Sequence, residues 1–546
     1  MQKNKIFFIS LLILYFCKVY PIYSIPLFDA EKSRTYTAET TPESCKSLTI
    51  APPTSADISI EGVEGNKMSA TAKVIIKNSR EEILESILDE ITFEFKPHPF
   101  GMLLELSIPE NKYAKDKKSS FYGIFKEREN ISHSVEMNIK IPKNQSFILK
   151  NEYGDIEIQK VNASIGITNT SGKVNVENCK GSLNIRNNYA GVTVSDFKGM
   201  AEIRNSSGEV ALEKIVGNVE LENSYKPIRF KDIEGRITIL STSSEIFGQH
   251  VASDCEIRTS YKNIDLRDIY GELTIKGPSC PVNVRNAGKN VTIESSYKPI
   301  KIDSVGGTLK IIGQSSDVSA INIGRDADIK SSYKTVILQN IGGPAVVDGQ
   351  SCNVTAENIN GDLEINSSYK QIVADNVKGN FKCHGGSCDV TATRIIGDAT
   401  VHSTYKTLVF KDIDGNLSVD GGSCNVSAED IGGDISISNS YKNIDLRGIS
   451  GSLDIRSQNA FVKISEIHSI PKNGHFNIKT SYKDIKIYIP EDIDLSLAIS
   501  TNNGEVYSDF EMTTTNTAKN YFKIKFGNGS ASGDLETSGD IYLLRE

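Results

Sequence analysis

Apolar residues recur at every second position in short bursts along most of this chain, and the bursts return at a fixed distance. In the stretch that starts at Gly361, Leu363 and Ile365 form one burst, Ile372 and Ala374 a second, and Val377 follows. The stretch that starts at Gly433 has Ile435, Ile437, Ile444, Leu446 and Ile449 in the same places. An i, i+2 spacing puts side chains on one face of a strand, not of a helix. Glycines at 343, 361, 379, 397, 415, 433 and 451 stand 18 apart, and Gly181, Gly199, Gly217, Gly235, Gly271 and Gly307 keep that phase upstream. Ser253, Lys289 and Arg325 take the same place in three units. The elementary unit is therefore 18 residues, with apolar residues at positions 3, 5, 12, 14 and 17 counted from the glycine. Each unit reads as two short strands joined by turns. Position 16 often carries a turn former, as in Asp232, Asp268, Asn376 and Asp412.

A second period is superimposed. Tyrosines at 153, 189, 225, 261, 297, 333, 369, 405 and 441 are spaced by 36, and the series ends at Tyr482 after a step of 41. About five residues are thus inserted near Ser469–Asn473. From Tyr225 onward a lysine follows each tyrosine, mostly as Ser-Tyr-Lys. Two kinds of 18-residue unit therefore alternate.

A unit this short cannot bury its own apolar stripe, whereas stacking on like neighbours buries it continuously. The expected fold is all-β: a single-stranded parallel β-helix (β-solenoid) of 18-residue coils in 36-residue pairs. A single 36-residue coil would enclose a lumen too wide for these side chains to fill. Eighteen units fit between Gln145 and His468, which at about 4.8 Å per coil gives a rod roughly 85 Å long. The repeats are assigned to 145–492, with 493–546 continuing as less regular coils or a cap.

Before the repeats, residues 25–44 read as a polar, flexible leader. Residues 45–144 read as a small α+β N-terminal cap, since open solenoid ends invite edge-to-edge pairing. Short strand-like runs, Val74-Ile75-Ile76 and Ile91-Thr92-Phe93, flank one helix at about 80–91. Ser79 to Glu82 form a capping box, and Ile83, Leu84, Ile87, Leu88 and Ile91 give the helix an apolar face.

Composition adds a compartment. Met1–Lys5 is a basic start and Ile6–Phe16 an apolar core too short to span a bilayer, so residues 1–24 read as a cleaved signal peptide. Cys17 follows the bulky Phe16, which argues against a lipoprotein anchor. No later segment is long and apolar enough to cross a membrane as a helix. The 546 residues carry a formal charge of -8. Without a basic patch to displace counterions, nucleic acid is not an expected partner.

The run "VEMNIKIPKNQSFILKNEYGDIEIQKV", the Ser-Gly turns of "NTSGKVNVENCKGSLNI" and the ending "GNGSASGDLETSGDIYLLRE" resemble the bacterial secreted β-solenoid family called putative adhesin, or auto-transporter adhesin head-like, a domain of unknown function. The resemblance covers nearly the whole mature chain. It implies a β-solenoid and an adhesin-like role at the cell envelope, with a glycan or a cell-surface or envelope protein as partner. Fold transfers from such degenerate motifs better than function does. The length and the alternation of Tyr-Lys with Ser-Cys depart from the family's usual pattern.

Three columns could carry chemistry. Position 9 holds the pairs Tyr225-Lys226, Tyr261-Lys262, Tyr297-Lys298, Tyr333-Lys334, Tyr369-Lys370, Tyr405-Lys406 and Tyr441-Lys442, alternating with serines such as Ser279 and Ser315. One reading is an exposed stripe that grips an extended polymer such as a glycan. The other, favoured on the sequence alone, is corner packing of large over small residues with solvated lysines. Cys280, Cys352, Cys388 and Cys424 share position 10 with Gly172, Gly208, Ser244, Ser316 and Ala460, so the column demands small, buried residues. Cysteines two coils apart lie about 9.6 Å from one another, beyond disulfide reach. Cys383–Cys388 is the one local bridge to consider. His384, His402 and Asp420 share position 6 of consecutive coils and could ligate a metal, although a plain polar column accounts for them too. No G-x-S-x-G, H-E-x-x-H, phosphate loop or calcium nonapeptide is present. Charged positions follow the repeat, so no catalytic residue, cofactor or metal is assigned and the chain is expected not to be an enzyme. Alternatives to an adhesin-like scaffold are a polysaccharide-active β-helix enzyme and an envelope-stress regulatory protein.

Overall fold

A computed structural model describes residues 30–42, 45–53, 55–78, 81–109, 132–516 and 521–546. The segment expected to be a signal peptide, Cys17, the first residues of the expected leader, and Ser79 of the expected capping box lie outside them. The chain divides into two compact units, 1–156 and 157–546.

In the first unit, strands β1 (Ala30–Thr40), β2 (Leu48–Ala51), β3 (Asp57–Val63) and β4 (Met68–Asn78) precede helix α1 (Glu81–Glu90). Strands β5 (Thr92–His98), β6 (Gly101–Ser107) and β7 (Ser132–Pro142) follow it. β2 pairs in parallel with β6 on one side and with Phe147–Lys150 on the other, while β3 pairs in parallel with β7. β4 closes on β7 antiparallel and β1 on β4 antiparallel; β5 closes on β6 the same way. Parallel coil strands therefore end against antiparallel ones, and the cap contains far more strand than the sequence pattern suggests. Leu48, Ile50, Ile58, Ile60, Leu104 and Ile139 are buried between the two sets.

The expectation of a flexible leader is corrected, because Ala30–Thr40 is a strand. Its polar sequence hides it. β1 contributes backbone pairing to the apolar β4 and side chains to the helix. The Tyr36 hydroxyl donates to the Leu88 carbonyl at 2.5 Å, and Arg34 bonds Asp89 at 2.6 Å and Glu85 at 2.9 Å. The helix falls where expected and buries Leu84, Ile87 and Leu88.

The second unit is a parallel β-solenoid, and the structure has about 18 turns. Each coil pairs with the next at an offset of one 18-residue unit: Leu363 faces Phe381, Ile365 faces Cys383, and Ile372 faces Val390. Positions 3, 5, 12, 14 and 17 point inward; Leu363, Ile365, Ile372, Ala374 and Val377 are all fully buried. The 36-residue coil is thereby excluded. Side-chain sizes compensate across coils. A Cβ on Gly248 would lie 2.1 Å from the ring of Phe230, so the phenylalanine occupies the space the glycine leaves. Position 16 is left-handed along the repeat, with φ of 56° at Asp232, 55° at Asp268, 56° at Asn376 and 54° at Asp412. Asp and Asn tolerate that conformation best among residues with a Cβ, which explains their preference there.

The five-residue insertion appears as the pairing of Leu453 with Phe476. Beyond it the chain departs from sequential order. Ala531–Thr537 lies between Phe476–Lys479 and Leu495–Thr501, and Ile541–Arg545 lies between Ile485–Ile489 and Val506–Ser508. The last coil in sequence is thus slotted beneath the one before it. Tyr521–Lys525 then pairs antiparallel on the outer edge of Leu495–Thr501 and carries Thr513–Asn516 as a further strand.

Candidate ligand-binding stripe

Tyr225, Tyr261, Tyr297, Tyr333 and Tyr369 stand at the turn between the two strands of a coil, Tyr405 takes the same corner inside the continuous strand Ala399–Ile413, and Tyr441 ends the strand Ile435–Tyr441; each is followed by a lysine, Lys226, Lys262, Lys298, Lys334, Lys370, Lys406 and Lys442. The 18-residue register aligns this corner in every coil; Tyr405, for example, faces Ser423, and Lys406 faces Cys424. The tyrosines are not packed: their exposure runs from 50% at Tyr441 to 69% at Tyr261. Tyr189 and Tyr482 extend the same exposed series. Among the described residues of the stripe, one hydroxyl has a partner, Tyr297 to Gln314 at 3.4 Å. One lysine approaches a carboxylate, Lys406 to Asp389 at 4.0 Å.

Why every second coil differs is decided under this corner. In a cysteine coil, position 7 is glycine: Gly277, Gly349, Gly385 and Gly421 precede Cys280, Cys352, Cys388 and Cys424 by three residues. A Cβ on Gly349 would meet Cys352 Sγ at 2.8 Å, and one on Gly385 would meet Cys388 Sγ at 3.1 Å. The thiol folds inward over the glycine and donates to the position-7 carbonyl of the coil before, Cys388 to Ser367 at 2.8 Å and Cys352 to Ser331 at 3.1 Å. Ser316 makes the same bond with its hydroxyl, to Ser295 at 3.3 Å. From Ser316 to Cys424 the column thus uses its small side chain as a donor, whereas Gly172, Gly208 and Ala460 meet only the demand for size.

In a tyrosine coil, position 7 is a buried Ser, Asn or Thr, and from Ser295 to Asn439 it serves the coil beneath. Ser367 Oγ accepts from the Cys352 amide at 3.2 Å and donates to the Cys352 carbonyl at 3.0 Å. Asn439 does this with two atoms, Oδ1 accepting from the Cys424 amide at 3.1 Å and Nδ2 donating to its carbonyl at 2.8 Å. With that pocket filled, position 10 turns outward and becomes lysine. The two corners interlock, which is why the repeat is a pair.

The cysteines are free, and so the Cys383–Cys388 bridge is absent. Burial pushes the Cys280 thiol up to about 11 and the Cys255 thiol up to about 12, and raises Cys352, Cys383, Cys388 and Cys424 for the same reason. These are packing groups, not nucleophiles.

His384, His402 and Asp420 do align on consecutive coils, with His402 Nδ1 at 3.0 Å from Asp420 Oδ2. Among the described residues no three His, Cys, Asp or Glu side chains converge to hold a metal ion. A third histidine escaped the sequence reading. His250 lies between Asp232 at 3.0 Å and Asp268 at 3.1 Å, joining three coils at position 16. Also missed were ladders at positions 2 and 11, where an Asp or Asn side chain accepts the amide one coil on. Asp362 takes Asn380 at 2.7 Å, Asn380 takes Asp398 at 2.9 Å, and Asp389 takes Thr407 at 3.1 Å. The signal was present as recurring Asp/Asn at those positions. Beside Tyr189 and Tyr225, an open depression of about 640 Å³ is lined by Arg186, Arg204, Ser206, Glu222, Leu240 and Thr242.

No family model matches the chain, and no curated protein matches it. A solved structure described as a "putative cell adhesion protein" from Clostridium sporogenes is similar over 35% of this chain and 100% of its own, at 16% identity and a TM-score of 0.20. The solenoid is established by its own register and burial rather than by that likeness. No helix among the described residues is long and apolar enough to cross a membrane.

Proposed function

We propose that this chain is a non-catalytic, adhesin-like binding scaffold, exported by its N-terminal segment to the envelope or the cell exterior, that holds an extended polymer along the tyrosine–lysine corner. The observation that carries the reading is the exposed tyrosine column, 50–69% accessible from Tyr225 to Tyr441. Aromatic rings with a polar tip are favoured contact residues, and burying them is the main return on binding. Rings that served only to pack a corner would be covered by their neighbours. A polysaccharide-cleaving role has less support, because the ionisable side chains repeat with the coils instead of gathering at one irregular point. A glycan array and an envelope pull-down with the intact protein test the proposal. Capture that is abolished in Tyr297→Ala/Tyr333→Ala/Tyr369→Ala supports it, and capture indifferent to those changes removes it.

A further inference from the structure

The spacing and charge of the stripe narrow the polymer. Resting on the reading of the corner as a binding stripe, we infer that it takes an acidic glycan with a two-sugar repeat, offering one ring face and one anion per repeat. Tyrosines on alternate coils are about 9.6 Å apart along the axis. An extended peptide strand returns a side chain to the same face every 6.8 Å or so, and slips out of phase at the first step. A polyproline helix returns after three residues, about 9.3 Å, and matches the spacing, but it brings no charge. The lysines need one. Each follows its tyrosine and is exposed, and among the described residues Lys298, Lys334 and Lys370 have no carboxylate within salt-bridge distance. They lie about one Debye length apart at moderate ionic strength, so each is an independent point of attraction for an anion.

A linear glycan advances two pyranose rings over roughly the span of two coils. One ring of the pair lies against each tyrosine face. The other passes over the small residue of the intervening coil, such as Ser315 or Ser351, which are half-buried and leave room. A uronate carboxylate on the repeat then falls once per lysine. Aromatic contact sets the phase and the lysines set the sign of the ligand.

The test uses the full chain and three probes: even-numbered fragments of a uronate–hexosamine polymer, neutral chito-oligosaccharides, and a polyproline peptide. Binding is measured by calorimetry at low and high salt. The acidic fragments are expected to bind with affinity rising at each added pair of sugars, as linked sites engage in turn, and to weaken with salt. Tyr297→Ala/Tyr333→Ala/Tyr369→Ala weakens them about tenfold or more. Lys298→Gln/Lys334→Gln/Lys370→Gln removes most of the salt dependence, which a purely structural role for the corner would not do. Neutral oligosaccharides binding as tightly, through the tyrosines and without salt dependence, would overturn the acidic assignment and leave the stripe standing. Tyrosine-dependent binding of polyproline alone would overturn the glycan. If no probe binds and native capture is indifferent to the tyrosines, the stripe itself is rejected. All six substituted side chains are solvent-exposed, and unchanged circular dichroism confirms that the variants fold.

Discussion

Ser367→Ala tests the interlock that makes the repeat a pair. The hydroxyl bonds both backbone groups of Cys352. Removing it strands a buried N–H and a buried C=O, each worth about 1–3 kcal/mol when unsatisfied. The net loss expected is about 2–4 kcal/mol, because deleting the hydroxyl also relieves its own desolvation. A long repeat array does not unfold as one unit, so a single denaturation midpoint is the wrong observable. Native-state hydrogen exchange at the Cys352 amide reads the effect where it arises. Exchange there should accelerate by about 30-fold or more, since 2 kcal/mol corresponds to roughly that ratio. Ser368→Ala, one residue on and half-exposed, is the matched control and should change it little. If Ser367→Ala leaves the Cys352 amide as protected as in the parent, the interlock is not what holds the corner.

Three further outcomes follow from packing and burial. Gly248→Ala should cost about 1–3 kcal/mol by overpacking against the Phe230 ring, and Phe230→Leu in the same chain should restore part of it; native-state hydrogen exchange in these coils of the two variants and their double mutant checks this. The buried thiols should resist alkylation in the native protein at neutral pH, leaving the partly exposed Cys45 as the reactive one among the described residues, which mass spectrometry after brief labelling would show. The same thiols make the fold alkali-sensitive. Burial pushes the Cys255 thiol up from its ordinary 9.0 to about 12, so its contribution is intact below about pH 9 and lost as pH climbs toward 12. A fold equally stable at pH 8 and pH 11 would contradict that burial.

The repeating core was legible in the chain because coil geometry and side-chain alternation share one period. Leu363 and Ile365, or Ile372 and Ala374, can be inward only if 18 residues close a turn, and the tyrosine spacing could then be read as alternate coils. Turn positions such as Asp232 and Asn376 were equally local. What the sequence left open depends on partners far along the chain. Ala30–Thr40 looks unstructured by composition, since its stability comes from β4 and α1 and not from its own residues. The ending has coil patterning, but no local property says that Ala531–Arg545 slots below Leu495–Ser508 instead of above it. At the corner, sequence showed that position 10 is small; only the structure showed that Cys352, Cys388 and Cys424 also donate there, because the acceptor is a carbonyl 21 residues back. Whether the tyrosines were packed or free was likewise a tertiary question, settled by how little of each ring its neighbours cover.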